Sequence, residues 1–350
     1  MTLYQRPLTP AGSPETAPDE TGRMFQMITG YWATQIARTA AELRLAEHLG
    51  QGPRTAAELA RTAALDPAAT RRFLRGCDAL GLVATEDGER YAATPLLDTL
   101  RADRPGSLRD LALWGGMTSH WQPWGLLPEA VRTGRAQSEA VFGEDLFTYF
   151  AAHEEEGTRF AAAMSAMTRG VADDLADVIT LRGDETVMDV GGAAGAFVQT
   201  LMTRHPALRG AVLELPHLAK AAEESTAAAG LSERFTFVAG DFLDVVPPAD
   251  VYLLKYVLHD WDDETAVRIL RNCRAGLRPG GRVLVTELVI DPRESRGLPP
   301  LMDLNMLTLS NGGRERERAE FAELFEAAGL RLVGVTPSAS LVSVVEGVAA

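Results

Sequence analysis

The stretch VMDVGGAAGAFVQT (187–200) decides the fold, because a short apolar run passes directly into a glycine-rich loop and then into a helical pattern. Gly191, Gly192 and Gly195 let the backbone turn sharply and let a ligand approach the start of the following helix. Since glycines also cluster in plain tight turns, the loop indicates a ligand site only if the neighbouring strands supply suitable partners.

Further apolar runs of strand length follow this loop and alternate with helical stretches. The alternation predicts a parallel sheet with helices on both faces. A short turn joins the last two runs, so one terminal strand must be antiparallel. The predicted strands are VMDV (187–190), AVLE (211–214), FTFV (235–238), VYLLKYV (251–257), RVLVTELVI (282–290), LRLVGVT (330–336) and LVSVVEGV (341–348), with helices near 194–204, 217–229, 263–277 and 317–328.

Residues typical of a nucleotide site follow two of the strands. Glu214 ends the second strand, where a carboxylate accepts hydrogen bonds from ribose hydroxyls. Asp241 and Phe242 follow the third strand and offer an adenine ring a hydrogen-bond acceptor and a flat apolar face. A nicotinamide dinucleotide and S-adenosylmethionine both fit this pattern.

The end of the sheet and the residue before the glycines favour one of these cofactors. A dinucleotide fold needs a second mononucleotide-binding half, whereas this sheet ends in a hairpin within the final twenty residues. Asp189 suits a ligand that carries an ammonium group better than one that carries a pyrophosphate. We therefore expect the cofactor to be S-adenosylmethionine.

An acid–base pair is predicted beyond the carboxyl ends of two later strands, where open parallel sheets bind ligands. His259 follows the run 251–257, and Glu287 lies near the end of 282–290. If these strands are neighbours, the imidazole and the carboxylate face one crevice; the alternative is a surface histidine and a solvated glutamate. Glu315 or Glu317 offers a third carboxylate, although such charge runs also start solvated helices.

The N-terminal part has a different pattern. Apolar residues recur at helical spacing from Met24 to about Leu49, which predicts an amphipathic helix or pair of helices that needs a partner surface. Two short helices (54–60 and 69–82) and a hairpin (83–94) then follow in the order of a winged helix. Beyond residue 105 the pattern is helical to about Val178.

Composition and charge exclude several classes of protein. The 350 residues are 46% hydrophobic and 23% charged, which is typical of a globular chain with two domains. A net charge of −14 repels phosphate backbones and anionic membranes, so we expect neither nucleic acid nor membrane as a partner. Arg71, Arg72 and Arg75 on one winged-helix helix keep a DNA-binding regulator as an alternative.

Cysteine usage and the N-terminus indicate the compartment. Cys77 and Cys273 are far apart and form no CxxC pair, so neither a disulfide framework nor a metal site is predicted. No apolar run has the length of a bilayer span, and residues 1–22 lack the apolar centre of a signal peptide. We expect a cytoplasmic protein whose first 22 residues form a disordered tail.

Several motifs of the sequence occur together. They are DVGGAAG (189–195), LELP (213–216), GDF (240–242), LKYVLHDW (254–261), TELVI (286–290), DLNMLTLSNGGRERER (303–318) and the spacing of Phe160, Met164 and Thr168. This combination resembles the family of S-adenosylmethionine-dependent O-methyltransferases. The similarity covers nearly everything after residue 23 and is strongest to the bacterial enzymes that tailor aromatic polyketides, with the plant phenolic O-methyltransferases more distant. Ala193 stands where the family loop has its middle glycine.

The resemblance implies an α/β fold, with a class I methyltransferase Rossmann-like sheet and a terminal antiparallel strand. A mostly helical winged helix domain (23–104) precedes it and forms a homodimer. A helical region (105–180) lines the acceptor pocket, and residues 181–350 form the catalytic domain that binds S-adenosylmethionine.

The implied activity is methylation of a phenolic hydroxyl on an aromatic natural product, with His259 as general base and with Glu287 orienting its imidazole. A hydroxylase, decarboxylase or cyclase on the same fold is the alternative, because a fold does not settle the reaction. The predicted catalytic residues are His259, Glu287 and Glu315, the cofactor-binding residues Asp189, Gly191, Gly192, Gly195, Glu214, Asp241, Phe242 and Lys255, and the residues of the acceptor pocket Trp121, Phe160, Met164, Met302, Asn305 and Met306.

Overall fold

The computed structural model describes residues 19–104 and 106–350, which form two compact units. The first unit contains residues 19–121 and 154–167, and the second contains 122–153 and 168–350. Most of the predicted tail lies outside the described residues. The described chain starts as a helix at Glu20, because the side chain of Asp19 accepts a hydrogen bond from the backbone N–H of Gly22 and caps the first turn.

The first unit begins with the predicted pair of helices and then has the helix, helix and hairpin order of a winged helix. Thr55 and Glu58 cap the third helix reciprocally, and Asp66 caps the fourth. The hairpin pairs Val83 with Ala93. The elements are α1 (Glu20–Glu42), α2 (Leu45–Leu49), β1 (Arg54–Thr55), α3 (Ala56–Ala63), α4 (Pro67–Ala79), β2 (Val83–Ala84), β3 (Arg90–Ala93), α5 (Pro95–Asp98) and α6 (Arg109–Gly115).

One face of α1 is apolar and exposed. Further along the helix, Ile36 packs against the buried core of this unit, where Leu45 and Leu74 lie. The N-terminal half instead presents six large apolar side chains that are each more than half exposed. These side chains, called the α1 apolar face below, are Met24, Phe25, Met27, Ile28, Tyr31 and Trp32.

The region predicted to be helical from 105 to 180 consists of several short helices and one long one. The boundaries between the two units fall within this region, at residues 121/122, 153/154 and 167/168. The long helix therefore begins in the first unit and ends in the second. The helices are α7 (Thr118–Trp124), α8 (Leu127–Thr133), α9 (Ser138–Phe142), α10 (Leu146–Ala152) and α11 (Glu154–Val178).

The second unit contains the predicted alternation of strands and helices. Every predicted strand is present, and each predicted helix forms within a few residues of its expected position. The elements are β4 (Thr186–Val190), α12 (Ala196–Arg204), β5 (Arg209–Glu214), α13 (Ala219–Ala228), β6 (Phe235–Ala239), β7 (Ala249–Lys255), α14 (Asp263–Gly276), β8 (Leu277–Glu287), β9 (Val289–Ile290), α15 (Leu298–Leu309), β10 (Arg316–Glu317), α16 (Arg318–Ala327), β11 (Leu330–Pro337) and β12 (Ser343–Ala349).

Within residues 168–350, seven strands form one sheet in the order β11-β12-β8-β7-β4-β5-β6. The strands from β4 to β8 pair in parallel, whereas β12 is antiparallel to both of its neighbours. The predicted antiparallel terminal strand is therefore confirmed. Because β4 is central and lies next to β7, the ends of these strands bring the glycine loop and the residues after β7 to one edge of the sheet.

Two predicted strands end earlier than expected, and both breaks shape the candidate site. β7 ends at Lys255, since Tyr256 has φ +53°, a left-handed conformation that a strand cannot continue. The predicted run 282–290 is interrupted at Leu288, which is buried. Its last two residues form β9, which pairs in parallel with β10 instead of with the large sheet.

No helix in residues 19–104 and 106–350 is both long enough and apolar enough to cross a membrane.

Candidate active site

The glycine loop after β4 has left-handed backbone at three positions. Gly191 has φ +70° and Gly195 has φ +79°, whereas Ala193 has φ +50° without being glycine. A methyl group at Gly191 would lie 3.1 Å from Val257 Cγ2 and 3.5 Å from Phe242 Cε1. Glycine there keeps the loop open beside an apolar wall.

Three backbone N–H groups of this loop donate hydrogen bonds to acceptors within the protein. Gly191 donates to the carbonyl of Leu213, and Gly195 donates to the carbonyl of Gly192 at 2.8 Å. Ala193 donates to Oε2 of Glu214 at 3.1 Å. A phosphate-binding loop presents such groups to its ligand, so this loop is poorly suited to a pyrophosphate.

Asp189 is a buried carboxylate directly before the loop. Its Oδ1 has no hydrogen-bond partner among the described residues, and Gly192 packs so closely that a methyl group there would lie 2.5 Å from Oδ2. Burial raises the pKa of Asp189 to about 7, although the charge of Lys255 opposes the rise. An orphaned buried acceptor of this kind fits a ligand that brings a donor or a positive charge.

The other predicted cofactor residues lie at the ends of neighbouring strands. Besides the bond from Ala193, Glu214 accepts one from Leu215 N at 2.8 Å, and burial raises the pKa of its carboxyl group. Asp241 is exposed at the end of β6, and Phe242 beside it is partly buried and meets Trp261 edge to face at 6.1 Å. Desolvation lowers the pKa of Lys255, at the end of β7, to about 8.

His259 lies on a short 3-10 turn after β7 and is buried. Its Nδ1–H donates to Oε1 of Glu315 at 2.7 Å, and its Nε2 lies 3.7 Å from Oδ1 of Asp260. The ring also stacks on Tyr256 with centroids 5.1 Å apart and planes 12° apart. The Glu315 bond fixes which nitrogen carries the proton in the neutral ring, and this leaves Nε2 as the atom that exchanges protons.

Glu287 has a different contact from the one expected. Its Oε1 accepts hydrogen bonds from the backbone N–H groups of Val257 and His259, at 3.2 and 3.1 Å, while its Oε2 has no partner among the described residues. In the described structure Glu315, and not Glu287, hydrogen-bonds the imidazole, whereas Glu287 holds the backbone of His259 and its charge helps to raise the pKa of the ring. The cause is the break at Leu288, after which β9 and β10 pair and bring Glu315 to the site.

The two candidate carboxylates after the glycine turn also separate. Glu315 is buried and contacts His259, and its backbone N–H donates to Asp303 at 2.9 Å. Glu317 is the N-cap of α16 and forms a reciprocal capping box with Glu320. Of the two, only Glu315 contacts the imidazole in the described structure.

The buried acidic cluster around His259 changes its proton affinity. Burial alone would lower the pKa of the imidazole, but the charges of Glu315, Asp260 and Glu287 together raise it to about 9. Burial raises the pKa of Glu287 to about 7. The cluster therefore stabilises a positive charge on His259 at neutral pH.

Arg316 holds the turn that carries His259, a role that the sequence analysis missed. The side chain is fully buried and donates to the carbonyls of Leu258 and Trp261, both at 2.7 Å, and to Asp263. The backbone N–H of Arg314 bonds the carbonyl of His259 itself at 2.8 Å. Nothing in the run RERER distinguishes the buried arginine from its solvated neighbours, so the sequence carries no signal for it.

The predicted residues of the acceptor pocket are divided between the two units. In the first unit, Phe160 and Met164 pack with Trp114. In the second unit, Asn305 is buried on α15 and accepts a hydrogen bond from Trp124 Nε1 at 2.8 Å. Trp121 belongs to the first unit, and Met302 and Met306 belong to the second. The common pocket stays a prediction.

Comparison with known proteins places this geometry in a family. The model of the O-methyltransferase domain matches residues 124–331, and that of the O-methyltransferase dimerisation domain matches residues 25–103. The phenazine O-methyltransferase PhzM of Lysobacter antibioticus is 36% identical over 92% of this chain and 94% of its own. The 3-amino-4-hydroxybenzoate 4-O-methyltransferase of Streptomyces cremeus is 35% identical over 92% and 88%.

A solved structure agrees along most of the chain. The O-methyltransferase NcsB1 from neocarzinostatin biosynthesis, solved with S-adenosylmethionine and 2-hydroxy-5-methyl naphthoic acid, superposes with a TM-score of 0.75. It is 34% identical over 91% of this chain and 96% of its own. With both family models matched and with relatives above 30% identity along nearly the whole length, the chain belongs to the family of S-adenosylmethionine-dependent O-methyltransferases.

Proposed function

We propose that this enzyme methylates a phenolic hydroxyl group of an aromatic natural product and that His259 is the general base. The observation that carries the proposal is the 2.7 Å contact between His259 and Glu315, which lies at the same sheet edge as the glycine loop and Asp189. A buried imidazole whose Nδ1 is held by a carboxylate is a common arrangement for moving a proton through Nε2.

The residues around the glycine loop fit the family's cofactor, S-adenosylmethionine. When bound, it supplies an electrophilic methyl group on a positively charged sulfur. Asp189 offers an unpaired buried oxygen to a donor or cation, and Glu214 offers acceptor oxygens at the tip of the second strand. Phe242 offers an apolar face beside Gly191. The set is acidic and apolar, which favours an amino acid and a nucleoside over a phosphate.

In the proposed mechanism, Nε2 of His259 takes the proton from the acceptor hydroxyl as the methyl group is transferred. A free phenol has a pKa of about 10, and an ordinary imidazole has a pKa of about 6.5. A raised pKa of His259 therefore reduces the difference between the two groups and favours proton transfer. Glu315 stabilises the imidazolium ion that forms. Glu287 and Arg316 hold the backbone of the turn, so that the ring stays in place.

The class of acceptor is supported by the relatives. Two of them are named as methyltransferases of a phenazine and of a hydroxybenzoate, and NcsB1 was solved with a hydroxynaphthoic acid. The predicted pocket residues of this chain are mostly aromatic or sulfur-containing: Trp121, Phe160, Met164, Met302 and Met306, with Asn305 as a polar contact. Aromatic and thioether side chains of this kind suit a flat aromatic ring that carries a few polar groups.

One experiment separates methyl transfer from the other reactions of this fold. The purified enzyme is incubated with S-adenosylmethionine and a panel of hydroxylated phenazines, benzoates and naphthoates, and S-adenosylhomocysteine is quantified against product. We expect one equivalent per methylated product. A hydroxylated, decarboxylated or cyclised product formed without stoichiometric S-adenosylhomocysteine would contradict the proposal.

The role of His259 is tested with His259→Ala. Turnover should fall by roughly 10² to 10⁴, the usual contribution of a positioned general base, while S-adenosylmethionine still binds in calorimetry. His153→Ala is a matched control, since that histidine stacks on Tyr149 and lies outside the acidic cluster. Turnover that stays at the wild-type level in His259→Ala would show that proximity alone drives transfer.

The assembly that we propose is a homodimer formed through the N-terminal unit. The match to the dimerisation domain and the exposed α1 apolar face both support it. A second copy of the chain would remove that face from water.

A further inference from the structure

Tyr256 is the residue of the candidate active site whose conformation is least expected. It has φ +53°, although its side chain is large and aromatic. At this point the chain must turn, because Tyr256 N still bonds the carbonyl of Thr286 in β8 while Val257 N bonds Glu287. A glycine would make this turn without strain. Keeping an aromatic side chain there therefore costs free energy that its contacts must offset.

The ring of Tyr256 contacts two ionisable groups of the site. The ring stacks on the imidazole of His259 at 5.1 Å and 12°. Nζ of Lys255 lies over the ring, 4.0 Å from its centroid. Both groups can carry a positive charge, and the negative face of an aromatic ring attracts cations.

From these contacts we infer that Tyr256 is a positioning residue for the base. Its ring holds the plane of the His259 imidazole and stabilises the charged form of that imidazole, while it also holds the ammonium group of Lys255. The inference rests on the proposed role of His259, and it adds a residue that acts through that base.

Other charged groups around His259 also influence the pKa of its imidazole. Glu287 approaches from β8, Glu315 from the segment before β10, and Asp260 from the turn of His259 itself. Lys255 lies at the end of β7. The charge of Arg316 lowers the pKa of Glu287 and so opposes the effect of burial on that carboxyl group. None of these groups is removed by a change at Tyr256, so a change in the imidazole can be ascribed to the ring.

The first test measures the imidazole directly. The chain has six histidines, so ring-labelled histidine and the variant His259→Ala identify the signal of His259 in NMR spectra. In Tyr256→Leu, which removes the ring, we expect the pKa of His259 to fall by about half a unit to one unit. Tyr256→Phe keeps the ring and should restore the wild-type value. An unchanged pKa in Tyr256→Leu would overturn the inference.

The second test uses kinetics. Tyr256→Leu should lower kcat on the high-pH plateau by roughly 10-fold and move the acidic limb of the pH profile to lower pH with the imidazole, and Tyr256→Phe should recover most of the loss. In a His259→Ala background, Tyr256→Leu should have no further effect on kcat. A loss that persists in that background, or that appears only as a higher KM for S-adenosylmethionine, would mean that Tyr256 acts through Lys255 and would refute the inference.

Controls separate this role from simple packing and from failure of the proposed function. Tyr252 lies in β7, just before Tyr256, and its hydroxyl donates to the carbonyl of Pro247. Tyr252→Leu removes this buried ring and should lower stability without changing the pKa of His259. If Tyr256→Leu does not fold, Tyr256→Met carries the same test. Should His259→Ala keep full activity, the proposed role of His259 as general base fails, whereas the NMR result on Tyr256 can still be read.

Discussion

The imidazole of His259 and the carboxylate of Glu315 meet at 2.7 Å, although 56 positions separate them in the chain. Glu287 is closer in sequence, but it bonds only the backbone of the same turn. The two carboxylates therefore have separable tasks: one stabilises the charged ring, and the other fixes the path of the main chain.

This division predicts different effects for two matched amide substitutions. Glu315→Gln removes the charge that does most to raise the pKa of His259, so kcat should fall by roughly 10- to 100-fold. Glu287→Gln keeps an oxygen for both backbone N–H groups and should cost less than about 10-fold. Steady-state kinetics with calorimetry of S-adenosylmethionine binding checks both. A Glu287→Gln enzyme that fails to bind the cofactor would assign Glu287 to the cofactor site instead.

The pKa of His259 should respond to the charge of the cofactor. In the free protein it lies at about 9, above neutral pH, so the base is protonated at rest. A sulfonium in the same crevice disfavours a second positive charge, so S-adenosylmethionine should lower the pKa on the order of one unit or more. S-adenosylhomocysteine is nearly isosteric and lacks that charge. NMR titration with each ligand checks the difference, and equal values would place the sulfur far from the imidazole.

Stability should also depend on pH through His259. Its folded-state pKa is raised above the ordinary value of 6.5, so its contribution is fully present below about pH 6.5 and is lost as the pH rises through about 9. The free energy of unfolding, measured with urea at pH 6 and pH 9, should fall over this range. His259→Asn should reduce the fall. If the free energy of unfolding of the wild type rose toward pH 9 instead, this would contradict the positive charge that we assign to His259.

Arg316 should matter more for stability than its neighbour Arg314. Arg316→Met leaves the carbonyls of Leu258 and Trp261 without their donor in a buried region, which should cost about 2 to 4 kcal/mol and lower kcat through the displaced turn. Arg314→Met removes a partly exposed side chain, and its backbone bond to His259 remains, so the cost should be below about 1 kcal/mol. Urea denaturation compares the two, and equal costs would refute the role of Arg316.

The sheet and the glycine loop could be predicted from the sequence because their signals are local. Apolar runs of strand length, the glycines from 191 to 195 and the short final hairpin each constrain the chain within a few residues. The order of the strands then brings Gly191, Glu214 and His259 to one edge without any knowledge of side chains.

The hydrogen-bond partners within the acid–base cluster could not be predicted, because they depend on two interruptions of the β-strands. Tyr256 adopts a left-handed conformation that no residue preference indicates, and Leu288 interrupts an otherwise continuous β pattern. Together these breaks decide that Glu287 faces backbone N–H groups and that Glu315 reaches the imidazole. The burial of Arg316 within a run of charges likewise depends on tertiary packing.

The last prediction concerns the α1 apolar face. Burying one large apolar side chain contributes about 1.5 to 3 kcal/mol, so six exposed together favour a partner surface. Light scattering of the full chain at micromolar concentration should give twice the 37.7 kDa of one chain. Removing residues 1–104 would be a poor test, since residues 154–167 belong to the same compact unit.

Two point substitutions on α1 test the dimer more sharply. Ile28→Glu with Trp32→Glu places two charges on the α1 apolar face and should raise the dissociation constant by at least about 100-fold. Arg61→Glu, an exposed charge change on α3, is the matched control and should leave the dimer intact. A monomeric wild-type chain would refute the dimer. A double variant that stays dimeric would move the interface away from α1.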